Sequence, residues 1–419
     1  MNRKLASASN VGILLVILVL LLSPTFVSSA NSVAVSTLLG PFPVAADADH
    51  QEIKPSAAYD EGRMFYLVAY EVSGEIIAVC LDHLGERQAV YALGDGQDPD
   101  IVFNIRADQY LVVWEHDYEI EGAYISGSCT NAAGGVSHIP GDISGDYNGY
   151  KQAPAVAYNH HVSHGDYLVV WSSSTDLSTN WSVYYRRVTS VGPSIDGSIP
   201  VKKSATAFHY DPDVAYNLNM NEYLVVYVRD ASKGQDPDAL DIYGRRGYNA
   251  GGMGMLPEEV IDSSAGSQTQ PAVAAYRLNQ TNPYLVVFQD YWNDSAGDVR
   301  GYLLNVDGAP QLLVNIATTP GISEGSPAIA IGEAMGGYAV AWEHNTDLSP
   351  DLYTRQVRST GKVEPISLVS VLPVDEGHPA LANGAATPFV TWQQSNTAGW
   401  DIYAQFLLLE RIYLPLTLR

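Results

Sequence analysis

Tyr167-Leu168-Val169-Val170-Trp171 returns along the chain as Tyr66-Leu67-Val68-Ala69-Tyr70, Tyr110-Leu111-Val112-Val113-Trp114, Tyr223-Leu224-Val225-Val226-Tyr227, Tyr284-Leu285-Val286-Val287-Phe288, Tyr338-Ala339-Val340-Ala341-Trp342 and Pro388-Phe389-Val390-Thr391-Trp392. A run apolar at five consecutive positions reads as a strand covered on both faces. Ahead of each copy a proline opens a small apolar run, at Pro55, Pro99, Pro154, Pro212, Pro271, Pro327 and Pro379, with a mean spacing of about 54 residues. Behind it comes a third element, typified by Asp241-Ile242-Tyr243, Asp351-Leu352-Tyr353 and Asp401-Ile402-Tyr403, and then a looser fourth such as Pro365 to Val369. Four short strands repeated seven times predict an all-β, seven-bladed β-propeller of four-stranded antiparallel blades.

The seventh repeat runs out of matching sequence after its third strand. Val35 to Ala46, an apolar segment ahead of the first repeat, is expected to supply the missing fourth strand, joining the two ends and leaving no open sheet edge. The competing source is the tail, Ile412 to Leu416. The Pro-apolar, Tyr-Leu-Val-Val-Trp and Asp-Ile-Tyr elements resemble the repeats of exported bacterial propellers of the TolB and WD-like class over essentially the whole mature chain. The unit departs from TolB-type repeats in being longer and in lacking their Ser-Pro-Asp-Gly turn. The resemblance implies the ring and leaves the function open, because propellers serve as enzymes, scaffolds and lectins. Arg411-Ile412-Tyr413-Leu414-Pro415-Leu416 also resembles a terminal tail of some exported bacterial proteins, which would imply surface retention; a packed edge strand is the other reading.

An export signal precedes the repeats: basic Arg3 and Lys4, an apolar run from Val11 to Leu22, and small residues at Val27-Ser28-Ser29-Ala30. The expected organisation is a signal peptide over 1–30, the propeller over 31–408 and a tail over 409–419, with the product secreted or held at the cell surface. The apolar run is shorter than the roughly 20 residues that span a bilayer, and no other stretch reaches that length, so the mature chain is expected to carry no transmembrane segment and to be a monomer. Twenty-two Lys and Arg face 46 Asp and Glu, a net charge of −24 that argues against nucleic acid as a partner. Only 16% of residues are charged, while 27 Tyr, 36 Gly and 23 Pro suit strands and turns. Cys80 and Cys129 could form one disulfide in an exported chain, or remain two thiols.

In such a ring the loops joining second to third strands, and those linking successive blades, emerge on one face, here termed the linker face. It carries Trp181, Tyr291, Trp292 and Trp400 in the former loops and Tyr147 and Tyr150 in the latter, an aromatic set suited to stacking on sugar rings. Asp95 and Asp98 lie in its blade links. Asp142, Ser144, Asp146 and Asn148 place oxygen atoms at alternate positions, as a calcium loop does, although no acidic residue closes the loop; an Asx-rich turn is the plainer reading. The opposite, hairpin face carries His160, His161 and His164, which read as solvated histidines for want of further ligands. No nucleophile elbow, zinc motif, P-loop or dinucleotide fingerprint is present, so no catalytic residue is assigned. The expectation is a non-catalytic propeller binding an extracellular glycan or protein ligand, with calcium its only candidate cofactor. The alternative is a secreted carbohydrate-active hydrolase or lyase using carboxylates of the rim.

Overall fold

The computed structural model describes residues 40–407, apart from 48, 131–134, 146–148, 162–164, 177–179, 195–197, 250–252, 347–348, 371, 385–386 and 398. Among these residues the elements are strands arranged as seven antiparallel sheets, six of which follow chain order from inside to outside. Blade 1 runs Glu52–Asp60, Phe65–Val72, Glu75–Leu81, Arg87–Asp95, and the later blades repeat that meander. In blade 3 the fourth place is shared by two short pieces, Gly192–Ser194 and Ile199–Lys202, both paired with Ser182–Thr189. No helix among the described residues is long and apolar enough to cross a membrane.

Closure follows the expectation. Phe42–Ala45 pairs antiparallel with Trp400–Phe406, matching Phe42 to Ala404 and Ala45 to Ile402, and so completes blade 7. Phe42 lies 5.7 Å from Phe406 and 6.4 Å from Phe389 between ring centroids, and Phe389 stacks on Tyr66 of blade 1 at 4.6 Å. The strand therefore brings an aromatic anchor as well as hydrogen bonds.

The core is divided into layers between neighbouring blades. Tyr110 through Trp114 exposes no surface, and Trp114, Trp171, Trp342 and Trp392 are all fully buried at one repeated position of the second strand. Each packs in the layer shared with the preceding blade, while the strand residues on either side of it face the following blade, so the strand is covered on both faces. Backbone bonds staple the layers. The amide three residues before the repeat's proline donates to the loop between second and third strands of the preceding blade: Gly96 to Gly74 O (2.8 Å), Lys151 to Tyr118 O (3.1 Å), His209 to Trp181 O (3.0 Å) and Glu324 to Gly297 O (2.9 Å). Arg186 and Arg245 donate to carbonyls of the segment that ends the preceding blade, Arg186 to Ile143 O and Arg245 to Val201 O. Cys80 of blade 1 and Cys129 of blade 2 are bonded, their Cα atoms 5.9 Å apart, which joins two blades covalently.

Candidate functional site: the polar mouth of the channel

The first strand of every blade is broken by a bulge at its proline, and the residue before that proline has a left-handed backbone in all seven: Lys54, Asp98, Ala153, Asp211, Gln270, Ser326 and His378, with φ between 47° and 53°. Non-glycine residues seldom adopt this conformation, and each instance costs on the order of 1 kcal/mol. The bulge turns these side chains to the channel mouth on the linker face. In four of the seven the amide is held by the residue that follows the second-strand aromatic of the preceding blade: Lys54 N donates to Gln393 Oε1 (3.0 Å), Asp211 N to Ser172 Oγ (3.1 Å), His378 N to Glu343 Oε1 (2.8 Å), and the Asp98 amide to the Glu71 carboxylate, while Ser326 N donates to Gln270 Oε1 (2.9 Å). Glu115 occupies the same place in blade 2 and bonds the side chain of Gln97.

These residues surround a cavity of about 750 Å³. Two residues beyond each proline stand Ala57, Ile101, Val156, Val214, Val273, Ile329 and Leu381, an aliphatic girdle that bounds the cavity from below. Beneath the girdle a second cavity of about 570 Å³ opens on the hairpin face, lined by Tyr59, Phe103, Tyr158 and Tyr216 with Met64, Ile105 and Leu218. The channel thus has a carboxylate-rich end and an end ringed by aromatic side chains.

Carboxylates crowd the polar end. Asp98, Asp100, Glu115, Asp211 and Asp213 line it, with Lys54 and His378 as the cationic or protonatable counterweights. Lys54 Nζ stands 2.6 Å from Asp98 Oδ1 and 3.8 Å from Glu71 Oε2. Glu115, only 6% exposed, has its carboxyl pushed up to about 6, first by burial and then by the Asp98 charge. Burial also raises Asp211, with Asp98 adding to the effect, and raises Asp100. Asp213 is pushed up to about 7, again by burial first. Asp100 and Asp213 are also clamps between first strands: Asp100 accepts Ser56 Oγ (2.9 Å) and Val156 N (2.8 Å), and Asp213 accepts Val214 N and Val273 N (both 2.7 Å). Glu115 and Asp98 are thereby the pair whose chemistry is least committed to the frame.

The aromatic set of the linker face is not uniform. Trp181 and Trp400 hold equivalent places at the start of the third strand, both half-buried, and Trp181 contributes its carbonyl to the inter-blade staple described above. Trp292 is different: it is 51% exposed, with the Arg300 guanidinium 5.8 Å from its ring. Tyr291 beside it is half-buried and donates its amide to Ser267 O. Tyr150 packs edge-on to Tyr118 at 4.7 Å. Tyr147, Asp146 and Asn148 lie outside the described residues, as does His164. Of the candidate calcium loop, Asp142 Oδ1 accepts from Ser144 Oγ and from the Gly145 amide, and buried Ser144 also bonds Glu119 Oε2 (2.7 Å) and the Ile120 amide (3.1 Å), which is an Asx turn tied to the third strand of blade 2. No group of three acidic, His or Cys residues suited to a metal occurs among the described residues.

The sequence reading of the linker face passed over Asp100, Glu115, Asp211 and Asp213. The available signal was Asp-Pro-Asp at the repeat's proline, present in blades 2 and 4 as Asp98-Pro99-Asp100 and Asp211-Pro212-Asp213 and in no other repeat.

No protein-family model matches the chain, and no curated protein matches it. Solved structures do resemble it in fold. Polysaccharide lyase Uly1 aligns at 9% identity over 85% of this chain and 90% of that one, with a TM-score of 0.55. A prolyl endopeptidase aligns at 10% identity over 90% of this chain and 50% of that one, with a TM-score of 0.51, so this chain spans half its length. The Hadza microbial sialidase Hz136 aligns at 12% identity over 83% and 74%, with a TM-score of 0.47. The likeness to Uly1 agrees with the ring read from the repeats; it does not extend to the TolB and WD-like class that the repeats resemble.

Proposed function

We propose that the chain is an exported carbohydrate-active enzyme that hydrolyses a glycosidic bond at the polar mouth. The observation that carries this reading is the pairing of Glu115, whose carboxyl keeps its proton to about pH 6, with the ion-paired carboxylate of Asp98, whose charge helps to raise it. Glycoside cleavage needs such a division of labour: one carboxylic acid protonates the leaving oxygen while a carboxylate attacks the sugar or activates water. Glu115 is the proton donor and Asp98 its partner, with Lys54 neutralising the excess charge. The likeness to polysaccharide lyase Uly1 makes carbohydrate the substrate class to test first, but the mouth favours hydrolysis over elimination. Lyase chemistry on an acidic polymer needs cations to neutralise the substrate carboxylate, and Lys54 is already engaged by Asp98 and Glu71. A neutral or amino-sugar glycan suits this surface better. Trp292 on the rim supplies a stacking platform.

The test is release of new reducing ends from a panel of neutral and amino-sugar polysaccharides. Glu115→Gln should lower turnover by roughly 10²- to 10⁴-fold, and wild-type turnover should fall as pH rises through about 6, where the donor loses its proton. Binding without cleavage would leave a non-catalytic glycan-binding ring as the correct reading.

A further inference from the structure

One repeated position builds the hairpin mouth of the channel from two kinds of residue. Four places beyond the repeat's proline, blades 1 to 4 carry Tyr59, Phe103, Tyr158 and Tyr216, whereas blades 5 to 7 carry Ala275, Ile331 and Asn383. Four adjacent blades thus form an aromatic crescent along one half of a cavity of about 570 Å³, a size that suits a small ligand. Each ring is backed by the Tyr that opens the second strand of its own blade: Tyr59 lies 4.7 Å from Tyr66, Phe103 4.7 Å from Tyr110, Tyr158 5.8 Å from Tyr167 and Tyr216 5.0 Å from Tyr223. Rings held in this way lose little freedom when a ligand stacks on them. Polar groups stand two residues further along. The His160 ring lies 4.5 Å from Tyr158 and stacks on Tyr216 at 6.1 Å, and it makes no hydrogen bond among the described residues. Desolvation within the mouth first, then the Arg277 and Arg106 charges, push its imidazole down to about 4, so at neutral pH one nitrogen donates and the other accepts. Arg277 and Glu333 form an exposed bidentate pair on the other half, Nε to Oε1 at 2.5 Å and Nη2 to Oε2 at 2.8 Å. Glu61 lines the same cavity, and Arg106 Nη2 donates to the His160 carbonyl (3.4 Å). Two carboxylates therefore meet two guanidiniums, a balanced mouth in a chain of net charge −24.

We propose that the aromatic mouth is a second, non-catalytic sugar site, which takes a neutral pyranose residue of a glycan chain. A pyranose presents an apolar C–H face and a rim of hydroxyls. The crescent matches the face, while the His160 imidazole, the Arg277 guanidinium and the Glu333 carboxylate supply donors and acceptors for the rim. Balanced charge favours a neutral sugar over an ionic one, and a wholly apolar ligand would leave those polar groups unpaired. The proposal rests on the glycan reading of the polar mouth for its ligand class, and it adds an anchoring site at the other end of the channel from Glu115.

The test is isothermal titration of the full chain, carrying Glu115→Gln so that nothing is cleaved, with cellopentaose, xylopentaose, mannopentaose and chitopentaose. At least one should bind, with an affinity that falls about tenfold in His160→Ala, in Arg277→Ala and in Tyr59→Ala. Melts of the same samples separate lost binding from lost fold, and exposed His160 and Arg277 keep the test decisive should Tyr59→Ala fail to fold. Release of reducing ends by the chain with native Glu115 scores the polar mouth separately: binding that depends on Arg277, without any release, upholds the aromatic mouth and sinks hydrolysis. Affinity unchanged in His160→Ala and Arg277→Ala but lost in Asp98→Ala overturns the aromatic mouth and leaves the polar one standing. Binding of none of the four oligosaccharides, or of N-phenylnaphthylamine in place of them all, also overturns it.

Discussion

Glu115 shows how a single buried acid can carry opposite signs for activity and stability. Its carboxyl is raised from 4.5 to about 6, so the folded chain holds that proton more tightly than the unfolded one. Its contribution is most favourable below pH 4.5 and is lost as pH rises through about 6, which makes the ionised form a burden at neutral pH. Glu115→Gln should therefore stabilise the protein at pH 7 by about 2 kcal/mol in urea unfolding, while lowering turnover as stated above. His209 works the other way. It is buried, packs edge-on to Tyr227 at 5.7 Å, and has its imidazole pushed down to about 4 by burial. The stability it contributes is complete above about pH 6.5 and is lost as pH falls toward about 4, in total about 3 kcal/mol. His209→Gln should flatten that limb of the pH-stability curve; an unchanged limb would assign acid sensitivity to other groups.

At the level of the strand, the repeated aromatics divide by environment. Trp171 is fully buried in the layer between blades 2 and 3, so Trp171→Ala should cost about 3–5 kcal/mol, whereas Trp292→Ala should leave the melt within the scatter of a surface change and weaken glycan binding alone. Isothermal titration beside thermal melts separates the two outcomes. This difference marks what was legible in the sequence. The second strands could be read directly, because five consecutive apolar residues have no stable place except between two sheets. The prolines were legible too, but only as strand starts. The bulge that each one accompanies depends on an amide being captured by a side chain of the preceding blade, a contact some forty residues away for Asp211 and Ser172. Asp100 and Glu115 were therefore invisible as members of one site, although the Asp-Pro-Asp recurrence was there to be seen. The Trp residues of the linker face were grouped by loop type, and loop type does not distinguish Trp181, whose carbonyl is part of the frame, from exposed Trp292.

For the molecule as a whole, stability rests on closure. Each blade leans on two others, so an opened joint exposes two faces at once. Removing Phe42 to Ala45 should lower the melting temperature by on the order of 5–10 °C, since Val44 and Ala45 are buried and half-buried Phe42 packs on Phe406 and Phe389. Reducing the Cys80–Cys129 bond, which encloses 49 residues of sequence separation, should cost up to about 4 kcal/mol and act at the joint between blades 1 and 2. The ring of bulges has a different consequence. One backbone conformation presents Lys, Asp, Ala, Asp, Gln, Ser and His at seven equivalent stations, so the frame is indifferent to which side chain is displayed. Ala153 and Ser326 are thus free addresses, whereas Gln270 holds the Ser326 amide: the binding preference of the polar mouth can be rewritten at the two free stations, one at a time, on a scaffold that does not register the edit.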